Sequence, residues 1–431
     1  MGIPPFTLAG LTVAALIIAR WAVQLWLARL NGRYVLAHAG AIPSAFQGMV
    51  DAETYAKSVR YTLAKNRFGQ LESTYESLVL AVLLFSGVLP WAFDFFTDHF
   101  GASVWARAAL LFASGVALAL SGLPFDWFAQ FRLEERFGFN TTTQKLWWMD
   151  RLKGFLLGVA LGYSLLALVL KLVDWTGQWW WLWAWACLVA FQLVMAVVAP
   201  VLILPLFNKF TPLAEGSLSQ RLQALGQHTG VAARSIQVMD GSKRSRHSNA
   251  FFTGYGRFRK LVLFDTLIQQ LTEPELEAVL AHEIGHFKLR HIPKMIGASA
   301  ASSLIGFYAV SWLARQAWFD QAFGFSPDGI VPTLWLSALA GGVVTFWISP
   351  LAHWWSRRCE YAADRYAADT IGERLSLTGA LRKLNAENLS NLTPHPVYSG
   401  FYYSHPTLLE RERALQETPN TSGLRKGLAN G

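Results

Sequence analysis

The side chains best placed to do chemistry are two histidines and a glutamate in the sequence His-Glu-Ile-Gly-His at residues 282–286. The surrounding residues have the pattern of a helix that begins at Thr272, where Glu275 three residues later completes a capping box. Positions four apart lie on one helix face, so both imidazoles can bind one metal ion and Glu283 can contact a water molecule there. The alternative is a chance match to a short motif, and the capped-helix context counts against it. The spacing therefore predicts a zinc hydrolase.

A third protein ligand is expected on the helical stretch at residues 356–364, which follows an apolar segment directly. Glu360 and Asp364 lie four residues apart there and share a helix face. One carboxylate can bind zinc while the other accepts the N–H of a zinc-bound imidazole and so fixes its orientation. The alternative is a solvated helix face, which is the usual role of acidic residues interspersed with arginines.

Two histidines and one glutamate would leave the fourth zinc position open to water, whose pKa the metal lowers toward ~7. Glu283 would take a proton from that water as it attacks a carbonyl, and would pass the proton to the leaving amine. The predicted reaction is amide hydrolysis, with His282, His286 and Glu360 as the metal ligands.

The composition excludes an ordinary soluble enzyme. Hydrophobic residues make up 53% of the 431 residues and charged residues 15%, against roughly 25% charged in soluble domains. The net charge of +9 comes without a long lysine or arginine block, so we expect basic loops beside a membrane and no nucleic acid partner. Cys187 and Cys359 are the only cysteines, and they offer no disulfide framework or cysteine zinc site.

Apolar stretches able to cross a ~30 Å hydrocarbon core recur along the chain. The predicted membrane spans are 5–30, 78–93, 106–128, 155–172, 179–207, 296–312 and 331–355. We expect the first to be a retained anchor rather than a cleaved signal peptide. Basic residues are concentrated at 31–77 and 130–153, which are therefore predicted to be cytoplasmic loops. This bias places the amino terminus outside and the carboxyl terminus inside.

The catalytic residues are predicted to lie in a domain that the chain forms in two parts. Residues 208–295 are polar, contain β-like runs at 236–239 and 261–264, and end with the helix of the zinc motif. Spans six and seven follow within 296–355, and residues 356–416 complete the domain with the helix of Glu360. Residues 417–431 are predicted to be a flexible tail.

Beyond the zinc motif, five stretches make the sequence similar to one known family. They are Glu-Glu-Arg-Phe-Gly-Phe-Asn at 134–140, Asn-Ala-Phe-Phe-Thr-Gly at 249–254, Leu-Val-Leu-Phe-Asp-Thr-Leu at 261–267, the stretch 356–364, and Ser404-His405-Pro406 with Arg411. With these, almost the whole chain resembles the type I CAAX prenyl endopeptidases, membrane zinc proteases of the gluzincin group. The resemblance implies an all-α membrane protein in which seven transmembrane helices form a barrel around a chamber, with an inserted α+β zincin-like catalytic domain.

The resemblance also implies roles for the residues of the zinc site. His282, His286 and Glu360 bind one zinc ion per chain, Glu283 is the catalytic base, and Asp364 orients a ligand.

Four further residues acquire implied roles in handling the substrate. His405 lies near the scissile carbonyl and stabilises the oxyanion, while Arg411 lies close to the site. Asn249 and Ala250 fall on an edge strand that pairs with substrate backbone, which requires an extended substrate. Without the resemblance, His405 is equally a turn residue before a proline, Arg411 a helix-surface charge and Asn249 a hairpin residue.

The leading hypothesis is an integral membrane zinc endopeptidase. Its substrates are the carboxyl termini of prenylated CAAX proteins or, in a bacterium, other membrane-associated or misfolded proteins. The alternative is a lipid- or isoprenoid-binding or transport protein with a structural metal, and Glu283 discriminates because a structural site has no use for a free carboxylate. We expect a monomer that contacts peptide substrate and membrane lipid. Without a Lys-Asp-Glu-Leu retrieval signal, a bacterial inner membrane is favoured over the endoplasmic reticulum membrane.

Overall fold

The computed structural model describes residues 8–48, 50–231, 235–253, 260–326, 329–372 and 374–417. This part of the chain is mostly helical and contains one small sheet, which lies in sequence between two groups of long apolar helices. Residues 418–431, the greater part of the predicted tail, lie outside the described residues, and so do the first residues of the first predicted span and Gly254.

The amino-terminal half is helical. Its helices are α1 (Leu8–Ala37), α2 (Ala52–Phe85), α3 (Val88–Phe100), α4 (Val104–Phe128), α5 (Glu135–Phe137), α6 (Gln144–Leu157), α7 (Ser164–Thr176), α8 (Trp180–Val198) and α9 (Leu204–Phe207). Side-chain caps fix the start of three of them, because Asp51 accepts a hydrogen bond from Thr54 N, Ser103 from Ala106 N and Thr143 from Leu146 N. π-helical turns at Ala129–Glu134, Gly158–Tyr163 and Ala199–Ile203 join consecutive helices without a loop.

Among the described residues, five helical segments are long and apolar enough to cross a membrane, and a sixth results if α2 and α3 count as one bent crossing. The five are Leu8–Ala37, Val104–Phe137, Gln144–Phe207, His291–Leu313 and Val331–Ile371. The 64-residue segment Gln144–Phe207 is a hairpin. It turns at Gly177, where φ is +53°, and Lys153 Nζ near one end donates a 2.8 Å hydrogen bond to Leu206 O at the other.

The structure corrects the predicted loops. Residues 31–77 include the end of α1 and most of α2, and residues 130–153 include a π-helical turn, α5 and part of α6. Charged residues along these helices suggested loops, because hydropathy alone does not distinguish a polar helix from a loop.

The predicted span 78–93 is divided between two helices. α2 ends at Phe85 and α3 begins at Val88, and their axes differ by 59°. The bend occurs at Gly87, whose φ of +79° lies in the left-handed region that glycine adopts without strain.

The second half contains the sheet and the remaining helices. The helices are α10 (Ser217–His228), α11 (Asp265–Gln270), α12 (Glu273–Lys288), α13 (His291–Leu313), α14 (Ala317–Gln321), α15 (Val331–Ile371), α16 (Leu375–Glu387), α17 (Pro396–Tyr402) and α18 (Leu408–Glu417). The strands are β1 (Phe210–Pro212), β2 (Ser235–Met239), β3 (Ala250–Thr253) and β4 (Lys260–Phe264). Both predicted β-like runs are confirmed, since they fall within β2 and β4.

The sheet has the strand order β1-β2-β4-β3. β2 and β4 are parallel, and the outer strands β1 and β3 pair antiparallel with them. Leu261 and Leu263 of β4 are fully buried in one core with Leu276 and Ile284 of α12. This core fixes one face of α12 against the sheet region.

α15 is one helix of 41 residues, about 60 Å long at 1.5 Å per residue. The predicted boundary between span seven and the following helix at residues 355–356 therefore does not interrupt the backbone. The same rigid element carries an apolar half that starts at Val331 and a polar half that contains Glu360 and Asp364.

Candidate metal centre

α12 presents two imidazoles toward one point. The predicted capping box is confirmed at its start, where Glu275 Oε2 accepts a 2.8 Å hydrogen bond from Thr272 N. His282 and His286 lie one turn apart, and their Nε2 atoms are 3.1 Å from each other. The side chain of His282 is nine-tenths buried, whereas that of His286 is one-fifth exposed.

Glu360 of α15 completes the group from the opposite side. Its Oε1 lies 3.3 Å from His286 Nε2, and its Oε2 lies 3.5 Å from His282 Nε2. One ligand atom from each of the three residues falls within 4.8 Å of the other two. Oε2 is buried and makes no hydrogen bond to any described residue. A buried carboxylate oxygen without a donor, facing two imidazole nitrogens, fits a divalent cation at this point.

A glycine lets the two ligand-bearing helices approach this closely. A Cβ built on Gly285 would lie 3.1 Å from both Cα and O of Ala363, and 3.2 Å from Cβ of Tyr366. Two of these neighbours are backbone atoms of α15, which a rotamer change cannot move. Gly285, which directly precedes His286, therefore sets the distance from α12 to α15.

Gly285→Ala is expected to lower the stability by about 1–3 kcal/mol, because the added methyl overpacks the helix contact. We also expect zinc affinity to fall by about tenfold, since α12 and α15 carry different ligands. Thermal unfolding and competition with a zinc indicator measure the two effects. Gly297→Ala is the matched control because its Cβ would meet nothing within 4 Å. Unchanged zinc affinity in Gly285→Ala would refute this account of the helix spacing.

An acidic residue and an arginine hold His282 in position. Asp364 Oδ1 lies 2.8 Å from His282 Nδ1, which leaves Nε2 to face Glu360. Asp364 in turn accepts two hydrogen bonds from Arg411, one of them from Nε at 2.7 Å. The Arg411 side chain is 12% exposed, and its Nη2 also lies 3.4 Å from His282 Nδ1. Arg411, predicted as a substrate contact, thus makes its described contacts with the groups that orient His282.

His286 has a partner in His291, which the sequence left either as a supporting residue of the metal site or without a role. Its Nδ1 lies 2.9 Å from Nδ1 of His291, which is 5% exposed and is the first residue of α13. Arg290 between α12 and α13 adopts a left-handed conformation with φ of +55° and so turns the chain back toward the site. The signal was the third histidine five residues after the zinc motif.

Burial and the neighbouring charges shift the pKa values of His282 and Glu283. Burial lowers the pKa of His282, but hydrogen bonds to Asp364 and Glu360 outweigh burial and raise the pKa to about 9. A histidine nitrogen must be deprotonated to bind a metal, so metal binding at neutral pH displaces this proton. Burial raises the pKa of the Glu283 carboxyl above its ordinary value, with His282 and His286 acting in the opposite direction. A carboxyl with a raised pKa is suited to exchange protons near neutral pH.

His405 approaches the same group from the carboxyl-terminal segment. Its Nε2 is 3.4 Å from Glu360 Oε1, and its side chain is 64% exposed. Its side chain is the most exposed of the three imidazoles that lie near Glu360.

Asn249 and Ala250 lie at an outer strand of the sheet. Ala250 begins β3, which ends the strand order and pairs only with β4 among the described strands. Asn249 is exposed, and its backbone O accepts a 3.1 Å hydrogen bond from Phe264 N. The outer edge of β3 is the predicted edge strand.

The family-like stretch at residues 134–140 contacts both α2 and the segment before β3. Glu134 Oε1 accepts a 2.7 Å hydrogen bond from Tyr61 Oη of α2, and Oε2 lies 3.4 Å from His247 Nε2. His247 Nδ1 is 2.9 Å from Asn388 Oδ1, and its ring stacks on Phe139 with centroids 4.1 Å apart. This network ties α2 and the 134–140 stretch to the segment before β3 and to the end of α16.

Two family descriptions match consecutive parts of the chain. Residues 32–209 match the CAAX prenyl protease N-terminal family with five membrane helices, and residues 212–419 match peptidase family M48. The change from one family description to the next therefore falls at residues 210–211, at the start of the sheet.

Proteins that carry the name CAAX prenyl protease 1 are similar over most of their length. The Saccharomyces cerevisiae protein is 34% identical, with 87% of this chain and 88% of the relative covered. The Homo sapiens homolog is 30% identical, with 93% and 94% covered. The crystal structure of S. mikatae Ste24p matches with a TM-score of 0.88 and 32% identity, covering 95% of this chain and 100% of that chain.

Proposed function

Because this chain belongs to peptidase family M48 and is a multi-pass membrane metalloendopeptidase, we propose that it uses zinc to cleave near the carboxyl terminus of prenylated CAAX proteins. The observation that carries the proposal is the convergence of His282, His286 and Glu360 from two helices, with Glu283 within their electrostatic field. The CAAX substrate is proposed from the names of the relatives.

The donor set favours a catalytic zinc ion, one per chain. Two imidazoles and one carboxylate are typical of catalytic zinc, and they leave a coordination position for solvent or substrate. When bound, zinc acts as a Lewis acid that polarises the scissile carbonyl and lowers the pKa of water. Asp364 and Arg411 support the site by holding Nε2 of His282 toward Glu360.

Glu283 is proposed as the general base. It is adjacent to His282 in sequence and lies in the electrostatic field of both histidines and of Glu360, but it is not in the three-ligand group. It accepts the proton that the attacking water loses and donates it to the amine of the departing peptide. A raised pKa makes the Glu283 carboxylate a stronger base toward the attacking water.

His405 is proposed to stabilise the oxyanion. Its Nε2 reaches within 3.4 Å of Glu360 Oε1, while most of its ring remains exposed for substrate. A ring N–H directed at the carbonyl oxygen contributes most when charge develops there during attack.

Asn249 and Ala250 are proposed to bind the substrate backbone along the outer edge of β3. Strand addition uses main-chain hydrogen bonds, so it accepts many sequences provided that the peptide is extended.

Seven crossings around a chamber are proposed as the membrane architecture. The hairpin at Gly177 supports this count, because dividing Gln144–Phe207 into two crossings and counting α2–α3 as one gives seven. We further propose a monomer with the amino terminus outside and the metal centre on the cytoplasmic side, on the basis of the basic residues at 31–77 and 130–153. A bacterial inner membrane stays a prediction.

The proposed function is tested with purified protein, a farnesylated CAAX peptide and its unprenylated counterpart, each with and without phenanthroline. We expect cleavage of the farnesylated peptide, loss of cleavage with the chelator, and recovery when zinc is added. Full activity in a preparation without stoichiometric zinc would contradict the metal mechanism. Equal cleavage of both peptides would instead indicate general membrane proteolysis.

A further inference from the structure

The two histidines of the candidate metal centre have different partners for the ring nitrogen that faces away from Glu360. His282 Nδ1 lies 2.8 Å from a carboxylate oxygen of Asp364. His286 Nδ1 lies 2.9 Å from Nδ1 of His291. The partner of the first histidine is therefore a carboxylate, whereas that of the second is an imidazole.

His291 reaches His286 because the helix is interrupted between them. On a continuous helix, a residue five positions further on lies roughly 140° around the axis, away from the face that carries the metal ligands. Here α12 ends at Lys288, and Arg290 adopts a left-handed conformation with φ of +55° before α13 begins at His291. This conformation is unfavourable for a residue other than glycine, so the surrounding structure must hold it. The result is a His291 side chain buried against the metal centre.

The contact between the two imidazoles determines which nitrogen carries a proton on each ring when a metal is bound. His286 Nε2 lies 3.3 Å from Glu360 and 3.1 Å from His282 Nε2, so Nε2 is the atom available to the metal. A neutral imidazole that binds a metal through Nε2 carries its proton on Nδ1. That N–H donates to His291 Nδ1, which leaves the proton of His291 on its own Nε2. His291 therefore acts as an uncharged hydrogen-bond acceptor.

We infer that His291 is a positioning residue, which orients His286 toward the metal through this hydrogen bond between imidazoles. The inference rests on the proposed function and adds a residue to the machinery. An acceptor on the second nitrogen fixes the tautomer and the ring orientation of a ligating histidine, and a carboxylate acceptor also raises the basicity of the ligand. A neutral acceptor gives the same orientation with less electron donation. More of the positive charge of the metal then remains for polarising the scissile carbonyl.

The test measures the zinc affinity of His291→Asn and His291→Gln by competition with a chelating indicator. The amide oxygen of asparagine can take the position of histidine Nδ1, whereas the amide of glutamine lies one bond further out, near the position of Nε2. We expect His291→Asn to bind zinc within about threefold of the unmodified protein, and His291→Gln to bind it about 10–100-fold more weakly, the usual cost of losing such a partner. His228→Asn is the matched control, because His228 is exposed and outside the ligand group.

Thermal unfolding with and without zinc separates positioning from a merely structural role. The zinc-free variants should unfold near the temperature of the zinc-free unmodified protein, whereas zinc should raise that temperature less in His291→Gln. Unchanged zinc affinity in His291→Gln would overturn the inference, and so would equal losses of affinity in both variants. If His291→Gln failed to fold, a loss of about tenfold or more in His291→Asn would still overturn it.

His291→Asp tests the importance of a neutral acceptor, since aspartate and asparagine have nearly the same shape and differ in charge. We expect zinc to bind His291→Asp at least as tightly as His291→Asn, but kcat for a farnesylated CAAX peptide at saturating zinc to be about tenfold lower. Equal kcat in the two variants would refute the role of the neutral acceptor. If the unmodified protein bound zinc but cleaved no CAAX peptide, the substrate proposal would fail separately, and the zinc affinities would still decide whether His291 orients His286.

Discussion

Glu283→Gln is expected to lower kcat for peptide cleavage by about a hundred- to ten-thousandfold, the usual contribution of a general base. Glutamine preserves the size of the side chain but cannot take a proton from the attacking water or return it to the amine. The variant should keep its zinc, because Glu283 does not belong to the group of three ligands. It should also keep its fold, because a neutral amide suits a position where burial already disfavours the charged carboxylate.

Three measurements separate this effect from general damage: zinc content, the thermal unfolding temperature and turnover of a farnesylated CAAX peptide. Glu277→Gln is the matched control on the same helix, because it removes a 2.5 Å surface ion pair with Arg221 and touches no ligand. Such pairs contribute about 0–1 kcal/mol, so near-normal turnover is expected. Turnover of Glu283→Gln within a factor of a few of the unmodified enzyme would assign the base to another group.

Glu360→Gln should weaken zinc binding by at least about a hundredfold and abolish turnover at ordinary zinc concentrations. Loss of a group that merely orients a ligand already costs about 10–100-fold in metal affinity, and Glu360 is proposed to bind the metal directly. The variant also removes the negative charge that faces both histidines. The Glu360 carboxylate oxygens lie 3.5 Å from Nε2 of His282 and 3.3 Å from Nε2 of His286. An amide oxygen is a weaker zinc ligand because it carries no charge.

Competition with a fluorescent zinc chelator measures this loss, and addition of excess zinc should recover part of the activity. Asp369→Asn is the matched control because it lies on an exposed part of the same helix, nine residues further along α15. If Glu360→Gln bound zinc as tightly as the unmodified protein, another group would have to complete the site. The assignment of α15 as the second ligand-bearing helix would then be wrong.

Local features of the structure could be predicted from the sequence. The helix of the zinc motif, its capping box and the strands β2 and β4 depend on residues within a few positions of each other, and all are confirmed. The membrane character follows from composition, which does not depend on packing. Helix capping and hydrophobic periodicity are set by local backbone geometry, so they leave a readable pattern.

The positions where the polar helices begin and end could not be predicted from local patterns. α2 carries charged residues along much of its length and yet is one helix of 34 residues. Its polar side faces a cavity lined by Lys65 and the network of Tyr61, features that exist only after the chain has folded. Hydropathy therefore indicated a loop where tertiary contacts support a helix.

The sequence by itself determined which residues can share a metal on α12, because helical geometry fixes positions 282 and 286 on one face. Only the tertiary structure decided what meets them. In sequence, Asp364 lies 82 residues and Arg411 129 residues from His282. Packing between α12, α15 and α18 brings the three side chains together. The approach of α12 to α15 depends on the contact of Gly285 with Ala363, and no local pattern encodes a contact between segments so far apart.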